Sequence, residues 1–276
     1  MSAEPTLRQV HEAEVYDRRA EQIGQTLDDA TLVVDGTRPP YPNREHVDFL
    51  DTIYARLGDL DDRRILEVGC GSGTLSSYHA LRGARAVGVD VSEGMLAIAR
   101  RRAEMNGVAD RVELIAAAIE DLDEPDGSFD AVIANQVLHH LDLPRALPNI
   151  ARMLKPGGQA LFAEPVLLMP AFVERVRYSR PVERRFPSRR DTPDERSIDA
   201  AALEEIRASF ARTDVLPFQL LTRAQNFVEL SDRAFARLEQ VDRRLLRSLR
   251  PVRRFCRYVV IAGSGRPPVP LTGSTP

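Results

Sequence analysis

The chain of 276 residues contains no tryptophan, two cysteines and a single lysine, Lys155. Cys70 and Cys256 are far apart in sequence and provide neither a disulfide framework nor the clustered ligands of a metal site. We therefore expect two buried thiols in a reducing compartment. No apolar segment follows a basic one near residue 1, so no secretion signal is expected.

Long apolar runs are also missing. The most apolar stretch, residues 160–173, is interrupted by Glu164, Pro165 and Pro170 and is too short to span a bilayer. We therefore expect no integral membrane segment and predict a cytoplasmic protein. With 43% hydrophobic and 29% charged residues, the composition is that of a globular protein with one substantial core.

The two signs of charge are unevenly distributed along the chain. Residues 1–164 contain 17 basic and 28 acidic side chains, whereas residues 165–276 contain 21 arginines and 13 acidic side chains. One explanation is a solvated basic surface that pairs with the acidic half. The alternatives are a site for an anionic group of the substrate or contact with a membrane surface. No nucleic-acid partner is expected, because the chain is acidic overall and contains no recognised nucleic-acid module.

The most informative segment is 64–74, where an apolar strand leads into three glycines at alternate positions, Gly69, Gly71 and Gly73. Glycine allows the backbone to turn sharply and to approach a ligand closely. The residues that follow predict a helix, whose first N–H groups are free to bind that ligand. A second strand ends at Asp90, whose carboxylate can accept hydrogen bonds from a ribose diol. The segment therefore predicts a nucleoside-binding βαβ unit.

The spacing of these glycines is G-x-G-x-G and not the G-x-G-x-x-G of dinucleotide sites, and Glu67 precedes the first glycine. The sequence E-V-G-C-G-S-G-T resembles the first motif of class I S-adenosylmethionine-dependent methyltransferases. The resemblance implies an α/β fold, a Rossmann-like seven-stranded and mostly parallel sheet with helices on both faces. It also implies S-adenosylmethionine as cofactor, S-adenosylhomocysteine as product and no metal.

The resemblance further implies a set of cofactor-binding residues. They form the glycine loop, accept the ribose hydroxyls, enclose the adenine or face the methionine portion: Glu67, Gly69, Cys70, Gly71, Gly73, Asp90, Val91, Met95, Ala118, Ile119, Asn135 and Gln136. An aspartate usually accepts from the adenine amino group, but Ala118 occupies that position here. One recognition hydrogen bond worth about 1 kcal/mol is therefore lost, while the backbone N–H of Ile119 can still meet the ring.

Methyl transfer needs mainly a nucleophile held about 3 Å from the methyl group, opposite the sulfur. A hydroxyl or carbon acceptor also requires a base. The candidates for this base are Glu164 at the end of the fifth strand, His139 in the sequence V-L-H-H-L, and His11 in the N-terminal helix. The residues predicted to bind the substrate are Tyr16, His140, Tyr178 and Arg180. The adjacent histidines do not predict a metal site, because no third ligand has a matching spacing.

Strands at 63–69, 85–90, 111–116, 129–135 and 158–164 alternate with helices at 73–83, 92–106 and 143–154, which predicts a parallel sheet. Residues 1–58 are expected to form a helical cap or lid, and residues 59–262 the methyltransferase domain. Within that domain, residues 166–197 are expected to be an insertion over the active site. A helix at 199–210, a strand at 213–220, a helix at 222–248 and a strand at 255–262 complete it. Residues 263–276 are expected to be a disordered tail.

The sequence thus predicts an enzyme that moves a methyl group by in-line displacement to a small-molecule acceptor. An apolar substrate with an anionic group is one option. Oxygen is the first choice of acceptor atom, then carbon, then nitrogen. The stretch 192–195 resembles a bacterial subgroup that methylates small molecules in secondary metabolism. The sequence is also compatible with a homodimer.

Two other functions stay open. The first is a non-catalytic protein that binds S-adenosylmethionine as a sensor or partner subunit, which the loss of the aspartate at Ala118 would suit. The second is a nicotinamide-dependent oxidoreductase. It is disfavoured because Lys155 lies in a K-P-G-G turn and does not belong to a tyrosine–lysine catalytic pair.

Overall fold

A computed structural model of the chain describes residues 5–41, 44–168, 184, 198–226 and 228–266. Most of the expected insertion at 166–197 lies outside these residues, and so do Tyr178 and Arg180, which were predicted to bind the substrate. The expected tail lies outside them from residue 267 onwards.

Seven strands form one sheet, and their order is β3-β2-β1-β4-β5-β7-β6. The strands are β1 (Arg64–Val68), β2 (Arg85–Asp90), β3 (Val112–Ala116), β4 (Phe129–Asn135), β5 (Leu154–Pro165), β6 (Arg212–Phe218) and β7 (Tyr258–Ser264). The first five strands are parallel, whereas β7 runs antiparallel to both β5 and β6. The predicted seven-stranded, mostly parallel sheet is confirmed.

The α-helices of the described residues are α1 (Leu7–Thr26), α2 (Asp29–Leu32), α3 (Val47–Leu57), α4 (Thr74–Leu81), α5 (Glu93–Met105), α6 (Leu143–Met153), α7 (Ala200–Ala208) and α8 (Asp232–Ser248). Short 3-10 helices include Arg44–His46, Ile119–Asp121 and Leu138–His140. None of the described helices combines the length and the apolar composition needed to cross a membrane.

The sheet has an apolar core on each face, because successive side chains of a strand point to opposite sides. On β1, Leu66 and Val68 pack into one core with Phe162 of β5, while Ile65 packs into the other with Phe49 of α3. Burying each of these large side chains contributes about 1.5–3 kcal/mol to folding. The central strands are therefore packed on both faces. This packing fixes the position of the sheet edge at which their carboxyl ends meet.

The predicted helix over 222–248 is wrong in its first part. Residues Thr222–Asn226 form a 3-10 helix, and α8 begins only at Asp232, where the Ser231 hydroxyl accepts a hydrogen bond from the N–H of Ala234 (3.3 Å). The buried carboxylate of Asp242 accepts from the N–H groups of residues 220, 221 and 222. These bonds hold the preceding chain against α8, so that it does not continue the helix.

The end of the sheet also differs from the expectation. β7 includes Gly263 and Ser264, which the sequence analysis placed in the tail. Gly263 is paired with Ala160 of β5 and Thr213 of β6. A side chain at this position would meet the ring of Phe210 at 2.6 Å. The glycine therefore allows close packing inside the sheet and does not mark its end.

Candidate cofactor and active site

A cavity of about 440 Å³ lies at the carboxyl ends of β1, β2 and β4, and α1 contributes one of its walls. The strand order reverses between β1 and β4, and ligands of open α/β sheets bind at such a reversal. Eleven residues predicted to bind cofactor or substrate line the cavity together: Gly69, Gly71, Asp90, Val91, Met95, Ala118, Ile119, Asn135, Gln136, His140 and Tyr16.

The glycine loop has the backbone conformation that its sequence predicts. Gly69, Gly71 and Gly73 have φ angles of +64°, +50° and +72°. A Cβ at Gly69 would lie 2.6 Å from a methyl group of Val137, and one at Gly73 would lie 2.6 Å from the Cβ of Ala99. Gly69 and Gly71 therefore shape the cavity wall, whereas Gly73 allows α4 to approach α5 closely.

Cys70 and Glu67 were predicted to bind the cofactor, and neither lines the cavity. Cys70 is buried, and its N–H donates to the carbonyl of Val89 (3.1 Å), which ties the loop to β2. Glu67 accepts a hydrogen bond from the hydroxyl of Ser76 on α4. Burial raises the pKa of Glu67 from 4.5 to about 8. Both residues therefore stabilise the glycine loop through contacts on the side that faces away from the cavity.

Asp90 has the geometry that a ribose site requires. Its Oδ2 accepts from the N–H of Gly71 (2.8 Å) and its Oδ1 from the N–H of Ser92 (2.9 Å). A carboxylate offers about four lone-pair positions, so each oxygen can accept one further hydrogen bond from a ribose hydroxyl. Burial raises the pKa of Asp90, although these two N–H groups act in the opposite direction.

The adenine side of the cavity contains two acidic residues that the sequence analysis did not consider. Val91, Met95 and Ile119 line this side, and Ala118 offers no side-chain acceptor. Glu120 and Asp142 also line it, and Glu120 Oε1 accepts from the N–H of Asp142 (2.8 Å). Carboxylates are therefore present close to the position where the family's usual aspartate is missing.

The end of β4 carries an unsatisfied acceptor. Asn135 lines the cavity, and its Oδ1 is buried without a hydrogen-bond partner among the described residues. An unpaired buried acceptor costs about 1–3 kcal/mol, which a bound ammonium group would recover. Together with the lone pairs of Asp90 and the close backbone approach at Gly71, this atom shows that the residues present suit an adenosyl amino-acid cofactor.

Gln136, the next residue, has a φ of +58°, which is unusual for a residue with a side chain. Its N–H donates to the carbonyl of Ala163 on β5 (2.8 Å). Its side-chain amide donates to Nε2 of His46 (3.0 Å) and accepts from the hydroxyl of Tyr258 (3.2 Å). The turn after β4 is therefore fixed by β5, β7 and the segment before α3.

The two adjacent histidines each form a hydrogen bond with a buried carboxylate. His139 Nδ1 lies 2.7 Å from Oε2 of Glu164, and His140 Nδ1 lies 2.9 Å from Oε1 of Glu12. A carboxylate at Nδ1 places the proton on that nitrogen and leaves the lone pair on Nε2. His140 lines the cavity, whereas His139 and Glu164 do not.

Glu164 is fully buried, and its environment differs from that of a base exposed to substrate. Its Oε1 accepts from the N–H groups of Val137 and Leu138, both at 2.8 Å. Its other oxygen faces His139. The carboxylate therefore orients an imidazole and holds the turn after β4, and a proton would move through His139.

Helix α1 supplies the predicted Tyr16 and two cavity residues that the sequence analysis missed, Arg8 and Glu12. Arg8, Glu12 and Tyr16 lie four residues apart, on one side of a helix, and all three line the cavity. The four-residue spacing of these polar side chains was the signal in the sequence that could have predicted their common position on the helix. His11, the third candidate base, does not line the cavity, because adjacent helix positions are rotated by about 100°. Among the described residues, no group of three histidine, cysteine or acidic side chains is arranged to hold a metal ion.

Most of the cavity residues, those from Val68 to Arg145, belong to one segment of sequence that matches a known family. Residues 66–162 match a family profile described as "Methyltransferase domain". The chain is 40% identical over 116 residues to the ubiquinone biosynthesis O-methyltransferase of Alkalilimnicola ehrlichii, across 41% of this chain and 46% of that protein. It is 37% identical over 123 residues to the demethylmenaquinone methyltransferase of Symbiobacterium thermophilum, across 43% of this chain and 47% of that protein. The chain thus spans about half the length of these curated relatives.

The fold has solved counterparts over a greater length. The crystal structure of the (4+2)-cyclase SpnF aligns with a TM-score of 0.60 and 24% sequence identity, across 95% of this chain and 98% of that chain. At this level of identity the likeness concerns the fold, including the elements before and after residues 66–162.

Proposed function

We propose that this chain, whose residues 66–162 form a class I S-adenosylmethionine-dependent methyltransferase domain, transfers a methyl group to an oxygen atom of a small-molecule acceptor. The observation that carries the proposal is the cavity at the carboxyl ends of β1, β2 and β4. It combines the lone pairs of Asp90, the close backbone approach of Gly71 and the unpaired acceptor of Asn135.

The sheet order supports a direction for the cofactor. Asp90, Val91 and Ala118 lie at the carboxyl ends of β2 and β3, so the adenosyl half belongs over these strands. Gly69 and Asn135 lie at the carboxyl ends of β1 and β4, which suits the methionine half. β5 and β7 come next in the sheet. The acceptor would therefore approach from the side of β5 and β7, which we call the acceptor side, opposite the adenosyl side.

On the acceptor side, His139 is our candidate for the general base and Glu164 for its positioning residue. The buried carboxylate fixes the tautomer of His139 with its proton on Nδ1. In the proposed role, Nε2 takes the proton of an acceptor hydroxyl once the acceptor is bound. The same carboxylate would stabilise the imidazolium that results. His140 and Tyr16 line the cavity and are proposed to contact the bound molecules there.

The remaining chemistry requires placement. S-adenosylmethionine supplies a methyl group on a sulfonium, which is already an activated leaving group. The chain must hold the acceptor oxygen in line with that methyl group and exclude water. The turn at Gln136, held by Ala163, His46 and Tyr258, provides a rigid boundary between the cofactor cavity and the acceptor side.

The proposal is tested with purified protein, S-adenosylmethionine and three acceptors: a polyprenyl catechol, reduced demethylmenaquinone and a primary amine. Demethylmenaquinone is taken from the name of one relative, and the catechol is a hydroxyl-bearing acceptor of the class proposed here. We expect acceptor-dependent formation of S-adenosylhomocysteine, with the methyl group on oxygen as located by mass spectrometry.

Two results would contradict this proposal. A methyl group found on carbon or nitrogen would leave the methyltransferase assignment in place and overturn the choice of acceptor atom. Tight cofactor binding without turnover of any hydroxyl-bearing acceptor in a broad panel would favour a non-catalytic sensor. The variant Asp90→Ala is the negative control in each assay.

A further inference from the structure

Asp17 connects the N-terminal helix α1 with the start of α5. Its Oδ1 accepts hydrogen bonds from the hydroxyl of Ser92 (2.5 Å) and from the N–H of Gly94 (3.0 Å). A Cβ at Gly94 would lie 3.0 Å from the Cβ of Ala20 and 3.1 Å from Oδ1 of Asp17. The glycine therefore permits a close approach that brings the carboxylate of one helix to the N terminus of another.

Ser92 connects Asp17 with two residues that line the cofactor cavity, Met95 and Asp90. Its hydroxyl accepts from the N–H of Met95 (3.0 Å), and its own N–H donates to Oδ1 of Asp90 (2.9 Å). The residue is fully buried. A serine hydroxyl can donate only one hydrogen bond, and here it donates to the carboxylate of Asp17. Its oxygen lone pairs therefore remain available to accept from the N–H of Met95.

We infer that Asp17 is a positioning residue for the adenosyl half of the cofactor, acting through Ser92 on Asp90 and Met95. The inference rests on the proposed cofactor site. Without the carboxylate, the hydroxyl of Ser92 can turn away from the N terminus of α5. The N–H of Ser92 then no longer holds Asp90 in one orientation. A ribose diol needs both carboxylate oxygens in place, so its affinity falls.

Calorimetry tests this with the variant Asp17→Ala and two ligands, S-adenosylhomocysteine and 5′-methylthioadenosine. The second ligand has the adenosyl group without the amino-acid portion. We expect both dissociation constants to rise by the same factor, about tenfold, the size of one lost charge-assisted hydrogen bond. In steady-state assays the KM for the cofactor should rise by that factor, while kcat at saturating cofactor stays unchanged.

The matched control is Glu14→Gln on the same helix. Glu14 is exposed, contacts Arg18 at 4.0 Å and does not line the cavity. We expect wild-type affinities for this variant. Asp17→Asn keeps an oxygen that can accept from Gly94 and Ser92, so it should lose less affinity than Asp17→Ala. It also keeps the test valid if the alanine variant does not fold.

A double-variant cycle tests the path through Ser92. If Asp17 acts through this residue, Ser92→Ala and Asp17→Ala together should cost little more than either change alone. Fully additive losses would overturn the inference, as would wild-type affinity in both Asp17 variants. A larger loss for S-adenosylhomocysteine than for 5′-methylthioadenosine would instead assign Asp17 to the methionine half. The proposed methyl transfer fails separately, when the wild-type chain binds both ligands and methylates nothing.

Discussion

His139 and His140 are neighbours in sequence, and their rings lie 4.2 Å apart, yet their carboxylate partners come from different parts of the chain. Glu164 belongs to β5, which is part of the central sheet, whereas Glu12 belongs to α1. Glu164 is also held by two backbone N–H groups, and no backbone N–H of the described residues donates to Glu12. The carboxylate partner of His139 is thus held by the backbone of the turn after β4, whereas the partner of His140 is held by side chains alone among the described residues.

The largest effect is expected on the acceptor side, from His139→Ala. Loss of a general base lowers the rate by about 10²–10⁴-fold. We therefore expect kcat to fall by that amount while the dissociation constant of S-adenosylhomocysteine stays within about threefold. His140→Ala is the matched variant, and its effect should fall mainly on cofactor affinity. The reverse pattern in single-turnover rates and calorimetry would exchange the two roles.

Glu164→Gln sharpens the same comparison. Because the variant's side-chain oxygen must still accept from Val137 and Leu138, its amide nitrogen would face Nδ1 of His139. That nitrogen donates, so the proton of the imidazole moves to Nε2 and the base is lost. We expect kcat to fall about as far as in His139→Ala.

Glu12→Gln is the control for this change. Its amide can rotate and present the oxygen to His140, so the tautomer is kept. We expect less than about a threefold effect on kcat. Equal losses of kcat in the two glutamine variants would show that the backbone hydrogen bonds to Glu164 do not explain the loss of activity.

On the adenosyl side, Asp90→Ala removes both acceptors of the proposed ribose bonds. Cofactor affinity should fall by about 10–100-fold, since the two lost hydrogen bonds contribute about 0.5–1.5 kcal/mol each. The rate of a single turnover at saturating cofactor should change much less. Unchanged affinity in calorimetry would refute the ribose assignment.

The smallest effect concerns Glu67, which lies behind the loop between the two sides. Its pKa rises from 4.5 to about 8 on folding. Between these values the folded chain holds a proton that the unfolded chain has lost, so the free energy of unfolding decreases as the pH rises. Glu67→Gln removes this contribution. Thermal unfolding at about pH 5 and pH 8 should therefore show a smaller decrease in Tm for the variant than for the wild-type protein; equal decreases would mean that Glu67 is ionised in the fold.

The parts of the site that depend on local backbone geometry could be predicted from the sequence. The glycine loop and Asp90 lie within one βαβ unit, where the spacing of residues determines which atoms meet. The partners of the histidines could not be predicted in this way. Glu12 and His140 are 128 residues apart, and their contact depends on how α1 packs against the sheet. His11 was predicted as a base because of its chemistry alone. Which side of α1 faces the cavity becomes known only from the structure, where Glu12 lies on that side and His11 does not.

Helix α1 forms a wall of the cavity through Glu12 and Tyr16 and is attached to α5 through Asp17. Any ligand that contacts this wall stabilises the docked helix by as much as the docked helix strengthens the ligand, because such coupling is reciprocal. Slower amide exchange along residues 7–26 would then report occupancy of the cavity. The amide exchange rate of the N-terminal helix would thus measure whether the cavity holds a ligand, either the methyl donor or its demethylated product.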